Sequence, residues 1–270
     1  MAALLRILYI LLLLFHFVAI PADARNARKY RLLWKDNFNG SQLNGENWDK
    51  LYRTSPGSWG MYMSKSDSVY ELKKGKLRLY GKVNNGIEPS DTAHYLCGGI
   101  TTRHKRSINY GKIKVRLKIK GAQGTWPAVW LMPVDYKHWQ YPQRAEIDIL
   151  EYLHQNDFVY QTVHTYYTDS LRQTNNPPRQ AKPSIKYEKY NVYTLEILPT
   201  ELIFSINGKE TFRYPKLKDV QEGQYPFGIE SYLMIDMQIG GKWVGNLIDT
   251  TQFPVYIDID WVKIYELKEL

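Results

Sequence analysis

The stretch R-A-E-I-D-I-L-E-Y-L, Arg144 to Leu153, sets three carboxylates among large apolar side chains. Its isoleucine-rich filling reads as a β-strand, and in a strand side chains alternate, so Glu146 and Asp148 share one face while Ile147 and Ile149 take the other. Glu151 has the wrong parity. Either it leaves for the opposite side, or one extra residue is accommodated as a β-bulge around Ile149 and Leu150, which returns it to the face of the other two. An exposed edge strand is usually dressed with mixed charges rather than acids alone. Carboxylates packed into an apolar run are costly to bury, so this pattern points to a chemical use.

Strand signals continue outward. Lys112 to Lys120 reads K-I-K-V-R-L-K-I-K, with Ile113, Val115, Leu117 and Ile119 on one face and the cations on the other. That is a half-buried antiparallel strand with a solvated outer face, and the period of two argues against a nucleic-acid stripe. Leu202–Ile206, Asn207-Gly208 and Lys209–Tyr214 read as a hairpin, because Asn-Gly supplies the positive φ angles of a tight turn. Further strands are expected at Ser68–Leu72, Lys76–Tyr80, Val159–Thr165, Val192–Leu198, Tyr232–Gln238 and Val255–Tyr265. No long stretch carries a 3.6-residue period. Many short strands with frequent turn signals mean an all-β sandwich or barrel. The polar segment Asp169 to Lys189 reads as a loop on the surface or at a rim.

The chain opens with Arg6, an apolar run from Ile7 to Ile20, and then Ala22-Asp23-Ala24. This order is that of a secretory signal peptide over residues 1–24, cleaved after Ala24, and the apolar run is short of the roughly 20 residues a span needs. Residues 25–270 are then expected to form one domain and act as a monomer, secreted or periplasmic, with no membrane span after cleavage. Cys97 is the only cysteine, so no intramolecular disulfide is possible. The formal charge of +9 is spread over a globular composition of 23% charged and 44% hydrophobic residues.

Around the acidic strand stand G-T-W-P-A-V-W-L-M-P (Gly124 to Pro133), V-Y-Q-T-V-H-T (Val159 to Thr165), I-G-G-K-W-V-G (Ile239 to Gly245) and D-W-V-K-I-Y (Asp260 to Tyr265). Together with E-I-D-I-L-E they resemble glycoside hydrolase family 16 in its bulged Glu-x-Asp-x-x-Glu form, typical of laminarinase-like and agarase-like members. The resemblance runs from about Leu32 to Tyr265. It implies a β-jelly roll of two antiparallel sheets whose concave face forms a substrate cleft. It also implies a retaining mechanism, with Glu146 as nucleophile, Glu151 as acid/base and Asp148 orienting and tuning the pair.

Glycoside hydrolysis needs one protonated carboxyl and one ionised carboxylate, and like charges held together push their pKa values apart. His164 shares a strand face with Thr162, and the family pattern places it beside the carboxylates as a hydrogen-bonding neighbour. No second histidine or cysteine falls at zinc-ligand spacing, and no cofactor is expected for catalysis. With 8 Trp and 22 Tyr the chain is rich in rings on which sugar C–H faces can stack. Trp126 and Trp130 are expected on one strand face as platforms, with Trp59, Trp139 and Trp243 forming cleft walls; Trp34, Trp48 and Trp261 are expected in the core.

A structural calcium ion, common in relatives, would fall at Asp260 and the Asp36-Asn37 region. Two departures bear on substrate: Ala145 stands where laminarinase-like members often carry Gly, and Asp236 and Gln238 change the polar lining of the expected cleft. The expected partner is therefore a β-linked polysaccharide or glycan. A β-1,3 or mixed β-1,3/1,4-glucan is the default, and a β-galactoside of agar or poly-N-acetyllactosamine type the alternative. A non-catalytic glycan-binding jelly roll is the competing class, and three intact acids argue against it.

Overall fold

The computed structural model describes residues 30–220 and 223–268. The expected leader, residues 1–24, lies outside them. Among the described residues the strands run β1 Tyr30–Asp36, β2 Asp49–Lys50, β3 Tyr70–Leu72, β4 Leu77–Val83, β5 Tyr95–Cys97, β6 Gly99–Thr101, β7 Gly111–Lys120 and β8 Thr125–Pro133. They continue as β9 Ala145–Glu151, β10 Tyr160–Thr165, β11 Gln180–Ala181, β12 Asn191–Ile197, β13 Glu201–Ile206, β14 Lys209–Pro215, β15 Ser231–Ile239 and β16 Val255–Leu267.

Two sheets result. One of nine strands runs β14-β13-β12-β7-β16-β4-β3, with β1 beside β16 and β5 beside β4; the other, of seven, runs β11-β10-β9-β8-β15-β6-β2. All pairings between these strands are antiparallel. The chain is a β-jelly-roll sandwich. Its core lies between the sheets, where Val115, Leu117, Ile257 and Val262 of the first meet Val129, Leu131, Ile147 and Ile235 of the second. Truncating one of these, Leu117→Ala for example, would cost about 2–5 kcal/mol.

The alternation in β7 appears as read, with its aliphatic side chains buried and its cations half-buried on the outer face. Those cations meet acids on neighbouring strands, Lys112 with Glu196 at 3.6 Å and Lys118 with Asp258 at 3.4 Å. The β13–β14 turn has φ of 53° at Asn207 and 84° at Gly208, the left-handed pair that a two-residue hairpin demands. Trp48 is buried and packs edge-on against Trp34 at 5.6 Å.

Trp261 departs from its expected core position. β16 slips register between Ile259 and Trp261, so Ile257 and Ile259 point inward before the bulge and Val262 and Ile264 after it. Trp261 is left half-buried on the outer face, with the Lys263 ammonium 4.5 Å from its ring.

Candidate active site

The seven-stranded sheet presents its outer face as a cleft floor, and β9 runs through the middle of it between β8 and β10. The bulge is there. Against β8, Asp148 pairs with Trp130 and Glu151 with Ala128, so three steps along β9 oppose two along β8. Against β10 the same slip sets Asp148 opposite Thr162 and Glu151 opposite Tyr160, with Glu146 opposite His164. Residues of matching parity therefore form one face: Glu146, Asp148 and Glu151 on β9, Trp126 and Trp130 on β8, and Tyr160, Thr162 and His164 on β10.

The three acids have different surroundings. Glu146 is ion-paired with Arg144, which lies two residues before it at the entry to β9. Glu151 meets no cation at ion-pair distance among the described residues. Its Oε1 accepts from Trp126 Nε1 at 3.0 Å, and its Oε2 lies 3.5 Å from Thr162 Oγ1, which Gln180 Nε2 holds at 3.0 Å. Burial, then the charge of Asp148, raises the pKa of both glutamates. His164 opposes this at both and Arg144 at Glu146 alone, and Glu151 is pushed well above the usual carboxylate range.

Asp148 stands between them, and its Oδ2 is 3.3 Å from His164 Nε2. The other ring nitrogen, Nδ1, lies 2.9 Å from Asp169 Oδ2. Asp169 also accepts from Tyr141 OH at 2.6 Å and Arg179 Nη1 at 2.8 Å. Burial by itself would lower the His164 pKa, but hydrogen bonding to both aspartates and the charges of Asp148 and Glu146 carry it well upward. Burial likewise works against ionisation of Asp169, yet His164, Tyr141 and Arg179 hold its pKa down to about 2. His164 is thus an imidazolium clamped between two carboxylates, and it returns positive charge to the middle of an acidic face.

Asp169 was not singled out by sequence. It sits at the start of the polar segment read as a loop, in a single π-helical turn, Tyr166–Ser170, that folds back onto β10. The short β11 then lays the rest of that segment along β10 and brings in Arg179 and Gln180. No periodicity marks such a residue. Arg144 did carry a signal, its place two residues before Glu146.

On the Glu146 side the cleft opens into a cavity of about 620 Å³ lined by Trp59, Trp130, Trp139, Arg103, Tyr232 and Glu146, among others. Past Glu151, Trp126 and Trp243 meet edge-on at 5.2 Å, and Tyr160 meets Trp243 at 5.0 Å. Trp243 is 42% exposed. Trp59, Trp126, Trp139 and Trp243 therefore stand along the cleft.

Three expected substrate contacts need correction. Trp130 is 8% exposed, packed edge-on against Trp59 at 5.0 Å, and offers the cavity little ring face. Asp236 and Gln238 are 0% and 2% exposed and cannot touch a substrate. Parity put them on the correct face, but the tryptophans of β8 roof them over. Asp236 accepts from Trp130 Nε1 at 2.7 Å and from Gln238 Nε2 at 2.6 Å, a network that orients the indole. Burial raises the Asp236 pKa to about 7 even against those donors.

The residues near Asp260 do not fit a calcium ion. Its carboxylate faces Arg116 and Lys76, and both oxygens of Asp36 are taken, by Phe38 N at 2.7 Å and Trp48 Nε1 at 2.9 Å. Calcium takes six to eight oxygens. Among the described residues Glu146, Asp148 and His164 place possible ligand atoms within 4.8 Å of one another, but both ring nitrogens of His164 already face carboxylates.

The sequence model for "Glycosyl hydrolases family 16" matches residues 55–263. The keratan-sulfate endo-1,4-beta-galactosidase of Sphingobacterium multivorum is 30% identical over 244 residues, covering 88% of this chain and 56% of that protein. This chain thus spans little more than half the length of that relative. A beta-glucanase of Rhodothermus marinus is 28% identical over 259 residues, covering 90% and 87%. Among solved structures, the laminarinase from Rhodothermus marinus superposes with a TM-score of 0.79 at 23% identity, over 90% of this chain and 99% of that one, a likeness of fold. With the matched span running through all three carboxylates and both walls of the cleft, the chain belongs to the glycosyl hydrolases of family 16.

Proposed function

We propose that this protein is an exported, retaining endo-β-glycosidase that cuts internal bonds of a β-galactoside-containing glycan. The observation that carries the reaction is the unequal setting of the two glutamates on one face of a bulged strand. Glu146, facing a guanidinium and an imidazolium, is the one to ionise and attack the anomeric carbon. Glu151, buried with only neutral donors, keeps its proton and delivers it to the leaving oxygen, then takes one from water in the second step. Asp148, standing between them, holds the imidazolium, which limits how far the two carboxyl pKa values climb. A cleft with aromatic groups on both sides of the carboxylates suits a chain bound across its middle, and hence cleavage within it.

Two observations support the substrate. The relative at 30% identity is named for a galactosidase, and the cavity is lined by cationic as well as aromatic side chains. A β-1,3 or mixed-linkage glucan is the second reading, favoured by the beta-glucanase match that spans 87% of that protein. Export rests on the leader read at residues 1–24, and a mature N-terminus at Arg25 in the periplasm or medium is its test. Incubating the processed form with keratan sulfate, desialylated mucin, laminarin and lichenan decides the substrate. Oligosaccharides from the first two support the galactoside reading, and products from the glucans alone replace it with the second. Monosaccharide as the sole early product from every polymer would refute endo-cleavage.

A further inference from the structure

Among the described residues, the cavity beside Glu146 holds one arginine whose charge is unanswered. Of the other arginine and lysine side chains lining it, Arg144 is paired with Glu146, and Lys50 donates to the Lys65 carbonyl at 2.9 Å and pairs with Asp67. Of its acids, Glu146 is taken by Arg144, and Asp49 lies 3.4 Å from Lys105. Arg103 has no carboxylate at ion-pair distance among the described residues, and its Nε is buried without a hydrogen-bond partner. It is nevertheless well positioned. Its guanidinium carbon lies 4.7 Å from the Trp139 ring centroid and 5.7 Å from that of Tyr232. Trp139 is itself fixed, donating from Nε1 to the Pro133 carbonyl at 2.7 Å, and the Arg103 backbone N–H donates to Thr101 Oγ1 at 3.1 Å. Arg103, Tyr232 and Glu146 line the same cavity, which sets Arg103 on the Glu146 side of the cleft.

A half-buried guanidinium held against two rings has already lost much of its side-chain freedom and part of its hydration. What best offsets that cost is an oxyanion, since the planar fork matches sulfate or carboxylate through two parallel hydrogen bonds. We propose that Arg103, backed by Trp139 and Tyr232, is an anion subsite that reads a sulfate ester or carboxylate on the sugar bound on the Glu146 side of the cleavage point. This rests on the glycosidase reading above and assigns the subsite's specificity to a single residue.

The test compares kcat/KM on keratan sulfate with kcat/KM on the same polymer after chemical desulfation, for wild type, Arg103→Gln and Arg103→Lys. A charge-assisted bond of this kind discriminates by about 10- to 100-fold, so the sulfated-to-desulfated ratio should fall by that factor in Arg103→Gln. It should fall less in Arg103→Lys, which keeps the charge without the fork, and this milder variant carries the test if the first does not fold. An equal ratio in all three proteins, or a wild type that prefers the desulfated chain, overturns the proposal. If neither galactan is cut and laminarin is, the substrate reading fails by itself, and the subsite is then tested by inhibition of laminarin hydrolysis. Galactose 6-sulfate and galacturonate separate the sulfate from the carboxylate source. Inhibition of the wild type at concentrations at least about tenfold below those needed for Arg103→Gln supports the subsite, and equal inhibition removes it.

Discussion

Replacing Asp169 with Asn should loosen the proton on His164 and move the pH profile of the enzyme. Asn keeps the shape and one hydrogen bond to the ring but removes a charge 2.9 Å from Nδ1. An opposite charge at such a distance is worth about 1–3 pKa units, each about 1.4 kcal/mol. Arg179, left without the carboxylate it now meets at 2.8 Å, pushes the same way. The His164 pKa, raised well above its ordinary value in the wild type, therefore falls in the variant. The imidazolium lowers the pKa of both Glu146 and Glu151, so its loss raises both. Both limbs of the kcat/KM profile should move to higher pH together. NMR titration of the His164 ring and kcat/KM against pH are the assays. An unmoved His164 midpoint, or a profile that shrinks in height without shifting, would refute the reasoning. Stability supplies a second readout. The wild-type carboxyl drops from 3.8 to about 2 on folding, so its contribution is full above pH 4 and is lost as pH falls toward 2. That acid step, at most about 2 kcal/mol, should be missing from the variant.

Glu146→Ala and Glu151→Ala should each lower activity on polymer by several orders of magnitude. On a substrate with an activated leaving group, azide should rescue Glu151→Ala but yield no retained product from Glu146→Ala; rescue of the second with retention would reverse the roles. Deleting Ile149 removes the bulge residue but leaves Glu151 two positions after Asp148, on the same face of a regular strand, so measurable activity should persist, and complete loss of turnover in a variant with native circular dichroism would contradict the bulged register of β9. For Asp236 the folded pKa is raised from 3.8 to about 7, so the wild type loses stability as pH rises through that window. Asp236→Asn should gain on it by up to about 4 kcal/mol between about pH 4 and pH 8, read from paired urea melts, and a constant difference would deny the buried charge.

Local pattern was enough wherever one face of a strand meets the core. The alternation in Lys112–Lys120, the Asn207-Gly208 turn, and the shared face of Glu146 and Asp148 all follow from a side-chain period of two and from steric limits on φ, which act over a few residues. Glu151 marks the edge of that reach. Its spacing allowed two directions, and only the pairing of β9 with β8 and β10 on either side selects the bulge at Ile149. The same kind of slip in β16 reversed the expectation for Trp261.

Depth was the other thing alignment of faces could not supply. Asp236 and Gln238 occupy the cleft face by parity, yet indoles from β8 cover them, because how far a side chain lies from solvent depends on the neighbouring strand's bulk and not on its own position in the chain. Asp169 and Arg103 were invisible for a related reason. One sits in an irregular turn and the other just past the end of β6, with no period to mark either. Each acquires its chemistry only from groups distant in sequence: His164, Tyr141 and Arg179 for the first, Trp139 and Tyr232 for the second. The residues themselves determined an all-β protein, sandwich or barrel, with three acids on one strand. Which acid holds a proton, and what lies beside it in the cleft, were decided by packing, because burial and the placement of charges are properties of the assembled sheets.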